Sequence, residues 1–388
     1  MFAGLLRSRA FLSLGMIILG ITGLWNVPPR QWVKDKWWLA GLAWVAVYAI
    51  SGLWSDDKAE WSTFLQMKLP VLLLPVAFNF LPAFTRKQLQ MLTLLCGGML
   101  LGGAMYSVSF LLMDYQHYIA EYNVSHMIPT PVYGDYICFS TSCALFIAWT
   151  FYALPSFLSK TAKWVAIAIA ALLAIYLHIL ASKSGLIAFY IFAISWAVYT
   201  VVKRRSIAGI AGLVAIPIVL SLAIEYIPTL HERKAHIVYT IYRLRDHDKS
   251  GTLGDLSRLI SYDISTRLIK EHPVLGVGVG DIMVEMNKGY NQWYPQVTDE
   301  RNRLVPHNQF LTVALGCGIP GALLFLWWVV MPLFTLPRGR DKFFFTVTWA
   351  ALFVQLMIEP FLEGQFGVFV YLYFPLMIIH NLRKPAVD

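Results

Sequence analysis

The sequence predicts an all-α polytopic membrane protein with about 11–12 transmembrane helices and one large extramembrane loop late in the chain. Three observations predict it. The 388 residues are 58% hydrophobic and only 14% charged, where a soluble domain carries roughly 25% charged residues. The apolar residues fall into repeated blocks, many of them near the ~20 residues that a helix needs to cross a bilayer. One long polar stretch, Glu225 to Asn308, interrupts them.

Eleven blocks qualify as spans: 10–26, 37–54, 66–81, 88–113, 132–153, 163–181, 184–202, 207–224, 309–331, 342–358 and 366–380. The third and last are short. The fourth is long and glycine-rich (Gly97, Gly98, Gly102, Gly103), which permits close helix contact or a kink. The first block follows Arg7 and Arg9 in the manner of a signal peptide. No small-x-small cleavage site follows it, so it reads as a retained helix. The organisation is therefore residues 1–224 with eight spans, 225–308 as the loop, and 309–388 with three spans and a tail.

The net charge of +9 does not point to nucleic acid, because the cations sit in short connections between apolar blocks, as a topology signal does. One set holds Arg30, Lys34, Lys36, Arg86, Lys87, Lys160, Lys163, Lys203, Arg204, Arg205, Arg338, Arg340, Lys342, Arg383 and Lys384, fifteen in all. The alternate connections hold four, Arg7, Arg9, Lys58 and Lys183, and Lys68 would side with them. The richer set is expected in the cytoplasm, which puts the long loop outside it. The four cysteines, Cys96, Cys138, Cys143 and Cys317, all lie in apolar blocks, so neither a disulfide framework nor a metal site is expected.

The loop carries eleven Lys/Arg and eleven Asp/Glu and is no disordered charged tail. Asp255 to Lys270 reads as an amphipathic helix with Leu256, Ile260, Ile264 and Leu268 on one stripe. Asp263 is placed to pair with Arg267 at i,i+4, and Asp255 with Arg258 at i−3, so Arg267 is the more structural arginine and Arg258 the freer one. His272-Pro273 ends the helix. The run Gly276-Val277-Gly278-Val279-Gly280 matches a nucleotide-binding loop only weakly. It reads as a tight turn packed on the membrane face, with backbone N–H groups such as that of Gly278 available to an anion.

The loop closes on Pro306-His307-Asn308, with Pro306 expected in the first turn of the next spanning helix. Two readings of His307 stand side by side. A helix N-terminus disfavours imidazolium and attracts phosphate, which suits a neutral base beside an anionic substrate. Alternatively, His307 and Asn308 simply cap the helix. Lys183, in the tight turn Ala181-Ser182-Lys183-Ser184-Gly185, either snorkels or faces a diphosphate. Glu359 and Glu363, four apart in Glu359-Pro360-Phe361-Leu362-Glu363, would share a face were the turn helical, and ionisable groups this near an apolar core are functional candidates. The outer connections with Asp56, Asp57, Glu60 and Trp61, and with Asp114, Tyr115, His117, Tyr118, Glu121 and Tyr122, read as a wetted rim or as a sugar-binding lip.

These residues carry a resemblance. An arginine (Arg258) precedes a helix that ends in Pro273-Val274-Leu275-Gly276-Val277-Gly278. His307-Asn308-Gln309-Phe310-Leu311 then opens a span containing Gly316, Gly318 and Gly321. Together with the many spans and the single large late loop, the chain resembles the O-antigen ligase family and the related Wzy-type polymerases. The resemblance implies transfer of a glycan from undecaprenyl diphosphate at the periplasmic face of the bacterial inner membrane, with no metal or other cofactor. The acceptor is a lipid A–core hydroxyl for a ligase, a growing glycan for a polymerase, or a protein for an oligosaccharyltransferase of the same superfamily. The family's activity-linked arginine and histidine fall on Arg258 and His307. The expected site is therefore His307 as base and Arg258 on the diphosphate, with Lys183, Arg267, Asn308, Glu359, Glu363 and Gly278 as further substrate contacts. Lys183 departs from the arginine usual in the family's Ser-Arg turn and loses the bidentate fork. Direct attack by the acceptor would invert the donor sugar. A polyisoprenoid-glycan flippase would share the helices and cations, but the sequence carries no internal repeat of the kind transporters use. A scaffold or receptor leaves Arg258, His307 and Lys183 unexplained.

Overall fold

In the computed structural model, residues 4, 8–25, 35–122, 126–131, 135–245 and 254–387 are described. Their helices are α1 (Arg9–Trp25), α2 (Lys36–Ser51), α3 (Lys58–Phe80), α4 (Arg86–Met113), α5 (Tyr115–Tyr122), α6 (Tyr136–Ala153), α7 (Lys160–Leu180), α8 (Lys183–Arg204), α9 (Ile207–Tyr226), α10 (Pro228–Arg245), α11 (Gly254–Glu271), α12 (Ile282–Trp293), α13 (Gln309–Thr335), α14 (Arg340–Ile358) and α15 (Gln365–Arg383). Each of the eleven apolar blocks corresponds to one helix. Among the described residues, nine helices are long and apolar enough to cross a membrane, α3, α4, α6 to α9 and α13 to α15. The apolar α1 and α2 are shorter, at 17 and 16 residues. The chain is an all-α polytopic membrane protein.

The third block is not short. It begins at Lys58 and runs 23 residues, because Asp57 accepts a hydrogen bond from the backbone N–H of Glu60 and starts the helix eight residues before the apolar run. Pro70 and Pro75 lie inside it.

Burial separates core from periphery. In α15, 89% of the spanning window is buried, and in α6 83%, against 6% in α9. The first two form the centre. Helix α9 packs on α8 and α10 and turns most of its apolar surface outward, as a helix bathed in lipid does. Helix α2 locks onto α13 through indoles: Trp44 stacks on Trp328 at 5.0 Å, and Trp37 Nε1 donates to Trp328 O at 3.1 Å.

The spans alternate, so their ends form two rims. On one rim Arg383 pairs with Asp35 (3.2 Å), the N–H of Arg86 donates to Val387 O (2.8 Å), and Arg340 reaches Tyr152 O (2.6 Å). The richer set of cations gathers here, Arg30 and Lys34 excepted, since they lie outside the described residues. Lys58, Lys183 and the described residues of the 227–308 stretch belong to the other rim. Those residues are largely helical. Helix α10 packs against α5, α7, α9 and α11. Leu256, Ile260, Ile264 and Leu268 of α11 are buried, as their four-residue spacing predicts, against Ile282, Met286 and Tyr290 of α12 and Leu315 of α13.

The glycine run and α13 explain one another. Helix α13 is broken at Gly318 (φ 73°, ψ 175°), and Pro320 follows. A break there frees the carbonyls of Leu315 and Gly316, and buried carbonyls need donors. The N–H of Val277 donates to Leu315 O (2.8 Å) and that of Gly278 to Gly316 O (3.1 Å), while the N–H of Ile319, freed on the far side, donates to Pro273 O (2.8 Å). Pro320 has no N–H to lose. Non-helical backbone at membrane depth persists only where protein covers it, and Pro273–Gly278 is that cover. A Cβ on Gly276 (φ 71°) would lie 2.5 Å from Leu315 O, so the contact requires glycine.

Candidate active site

The site forms where α11 crosses the start of α13 and the end of α14. Helix α14 ends at Ile358, and Glu359 is extended (φ −147°, ψ 150°). Pro360 follows, and Phe361–Glu363 forms a single 3-10 turn. The turn is therefore not α-helical, and Glu359 and Glu363 do not share a face. They enter two different clusters.

Glu359 joins the two residues that stand out in the long loop. Its Oε1 accepts from Arg258 Nη2 at 2.5 Å, and its Oε2 lies 2.8 Å from His307 Nδ1. The Arg258 contact is an in-line hydrogen bond. The His307 contact is close but misaligned, so Nδ1 is a buried ring nitrogen without an aligned hydrogen-bond partner. The carboxylate is mostly buried (side chain 11% exposed), and Arg258 (28%) and His307 (20%) open toward the exterior. Tyr262, one turn after Arg258, donates to His307 O at 2.7 Å and fixes the histidine's backbone. Burial holds the Tyr262 hydroxyl above the usual phenol pKa, with Arg258 opposing the shift and Glu359 adding to it. Arg258 pairs with Glu359; the side chain of Asp255, its expected neighbour, lies outside the described residues.

His307 precedes the helix rather than sitting in its first turn, and so does Pro306. Asn308 is the N-cap: its Oδ1 accepts from the N–H groups of Phe310 (2.9 Å) and Leu311 (3.1 Å). Its Nδ2 donates to Met357 O (3.1 Å). One end of this amide thus caps α13, and the other ties it to α14.

Glu363 belongs to the second cluster. Its Oε2 accepts from Lys68 Nζ (2.6 Å), and its Oε1 from Tyr48 OH (3.0 Å) and Gln309 Nε2 (2.6 Å). Lys68 and Gln309 are fully buried. The sequence reading used Lys68 only as a topology count and passed over Gln309. The available signal was a lysine inside an apolar block, which is a functional candidate by default.

The remaining expected residues lie around this centre. Arg267 pairs with Asp263 (2.8 Å), as the i,i+4 spacing predicts, and lies over the Trp293 ring at 5.2 Å. The N–H of Gly278 is taken by Gly316 O, so the backbone donor expected to meet an anion serves the α13 break instead. Asp281, which sequence reading missed, accepts from the N–H groups of Asp56 (2.7 Å) and Asp57 (2.9 Å) and ties the glycine turn to the start of α3. Lys183 opens α8. The neighbouring Ser184 O accepts from Gln355 Nε2 (3.0 Å), one turn before Glu359 on α14. Lys183 also stands at one end of a groove of about 960 Å³ between α8 and α9, whose walls include Leu186, Tyr190, Ile194, Leu213 and Ile216.

No curated protein matches the chain. Residues 140–326 match the family model described as O-antigen ligase. The match includes Lys183, Arg258, Arg267, Gly278, His307 and Asn308 and ends before Glu359 and Glu363. Over residues 140–326, which include an arginine-bearing helix packed under a glycine turn and a histidine at the head of the following span, the chain is similar to the O-antigen ligase family.

Proposed function

We propose that the protein transfers a glycan from undecaprenyl diphosphate to a sugar hydroxyl of lipid A–core, at the periplasmic face of the bacterial inner membrane. The observation that carries this reading is Glu359, whose two oxygens meet Arg258 and His307. A cation suited to a diphosphate and a base suited to a hydroxyl thereby stand on opposite sides of one carboxylate.

The leaving group is already good, so catalysis needs charge neutralisation and positioning above all. Arg258 holds the diphosphate with its planar fork. Before the donor arrives, Glu359 neutralises Arg258; the diphosphate then takes over the guanidinium and leaves the carboxylate to His307. Glu359 faces Nδ1, which directs Nε2 to the acceptor. His307 takes the acceptor's O–H proton as that oxygen bonds to the anomeric carbon. The bond from that carbon to the diphosphate oxygen breaks, and its electron pair leaves with the diphosphate. Glu359 stabilises the imidazolium that forms. The displacement inverts the donor sugar, and no step needs a metal.

The groove between α8 and α9 supports a polyprenyl donor, because it is apolar along its length and carries Lys183 at the end nearest the site's rim. The concentration of cations on the opposite rim supports a periplasmic site. A deletion strain tests the acceptor. The reading expects lipid A–core without long glycan, while full-length glycan accumulates on undecaprenyl diphosphate. Accumulation of a single repeat unit on the lipid would make the protein a polymerase. Normal surface polysaccharide with unglycosylated protein would make the acceptor a protein.

A further inference from the structure

Lys68 lies inside spanning helix α3 and is fully buried. A lysine at this depth is unfavourable unless paired and hydrogen-bonded. Its Nζ donates to Leu362 O (2.7 Å) and Glu363 Oε2 (2.6 Å) and stands 5.0 Å from the centre of the Tyr48 ring. Gln309 completes the arrangement by donating to Glu363 Oε1 and accepting from the N–H of Leu362 (2.7 Å). On the other side of Glu359, Asn308 donates to Met357 O. The turn that carries Glu359 is thus tied to the start of α13 both before and after the carboxylate, and α3 holds the second tie. His307 stands two residues ahead of Gln309. The two ties together set where the base and its carboxylate stand relative to each other.

We propose that Lys68 is a positioning residue for glycan transfer: through Glu363 and Gln309 it fixes the spacing of Glu359 and His307 from within the membrane. The inference rests on the reading of the reaction given above. A buried Lys–Glu pair is weak evidence for stability, since apolar replacements of both partners often do as well, whereas removal of one partner leaves an uncompensated charge. What the pair supplies here is a unique placement of the 360–363 turn.

The test uses full-length protein purified in detergent, with undecaprenyl-diphosphate-linked glycan as donor, and compares Lys68→Met, Glu363→Gln and the double variant Lys68→Met/Glu363→Gln. A misplacement of about 1 Å at the reacting groups lowers kcat roughly 10²-fold, and Lys68→Met is expected to fall in that range. Its KM for the donor should hold, because Arg258 and the α8–α9 groove are untouched. The double variant buries no lone charge, and its amide oxygen still accepts from Tyr48 and Gln309. Its kcat is expected to recover about tenfold or more over Lys68→Met. Hydrogen exchange should rise in both the 305–311 and 357–363 peptides of Lys68→Met and stay above wild type in the double variant. If Lys68→Met fails to fold, the double variant alone decides: a kcat about tenfold below wild type with faster exchange in both peptides supports the anchor, and wild-type kcat with wild-type exchange overturns it. Wild-type kcat in a folded Lys68→Met, or unchanged exchange in both peptides, overturns it. A wild-type protein without transfer activity instead overturns the reading of the reaction.

Discussion

Arg258 and His307 are 49 positions apart and meet through a carboxylate that lies outside the family match, 101 positions after Arg258. That geometry separates the roles of charge and shape at Arg258. Lysine retains the charge but cannot present two parallel N–H groups to the diphosphate. Arg258→Lys is therefore expected to lose most of the activity that Arg258→Ala loses, by about 10-fold or more in kcat/KM. Single-turnover kinetics on the purified variants would measure it, and full activity in both would remove the arginine from the mechanism. At this scale the sequence disclosed Arg258 and His307 by their place in the long loop and at the head of a span. It could not disclose their partner. Glu359 and Glu363 look like an i,i+4 pair until Pro360 and the extended Glu359 break the turn, and only the packing of α11 on α13 shows which one faces the arginine.

Among the elements, the apolar blocks were readable because period and length are local properties. The stripe on α11 was readable for the same reason. The break in α13 was not, although Gly316, Gly318 and Pro320 are plain in the sequence. Its meaning lies in hydrogen bonds to a segment about forty residues earlier, where the donors of Val277 and Gly278 pair the carbonyls that the break and Pro320 leave open. The glycine run, read from the sequence as a tight turn on the membrane face, is also the plug for a broken helix. Gly276→Ala must place a Cβ 2.5 Å from Leu315 O at φ 71°. A strained left-handed residue costs of order 1–3 kcal/mol, and the steric overlap adds to that. Thermal unfolding in detergent should show a clear loss of stability, and activity should fall because Leu315 and the His307 end of α13 shift together. A variant as stable as the wild type would mean that the turn does not seal the break.

Across the whole molecule, the division of charge between the rims and the crowding of α10, α11 and α12 on one of them argue for a single outward-facing working surface. Glu300 lies exposed on that rim and Arg338 on the other. In intact spheroplasts a membrane-impermeant thiol reagent is expected to label Glu300→Cys and not Arg338→Cys, and the reverse pattern would invert the topology. The central claim is that Arg258, Glu359 and His307 form a transfer site for a lipid-diphosphate-linked glycan. The most direct measurement is transfer by purified protein in detergent, where no bilayer remains to be crossed, with wild type and His307→Ala compared at equal folded concentration. Wild type should form the glycan–lipid A–core product with inverted anomeric configuration, and His307→Ala should be slower by about 10²–10⁴-fold while still binding the donor. A wild-type protein that moves the lipid-linked glycan across vesicles but forms no product in detergent would contradict the claim, as would a His307→Ala variant that turns over like the wild type.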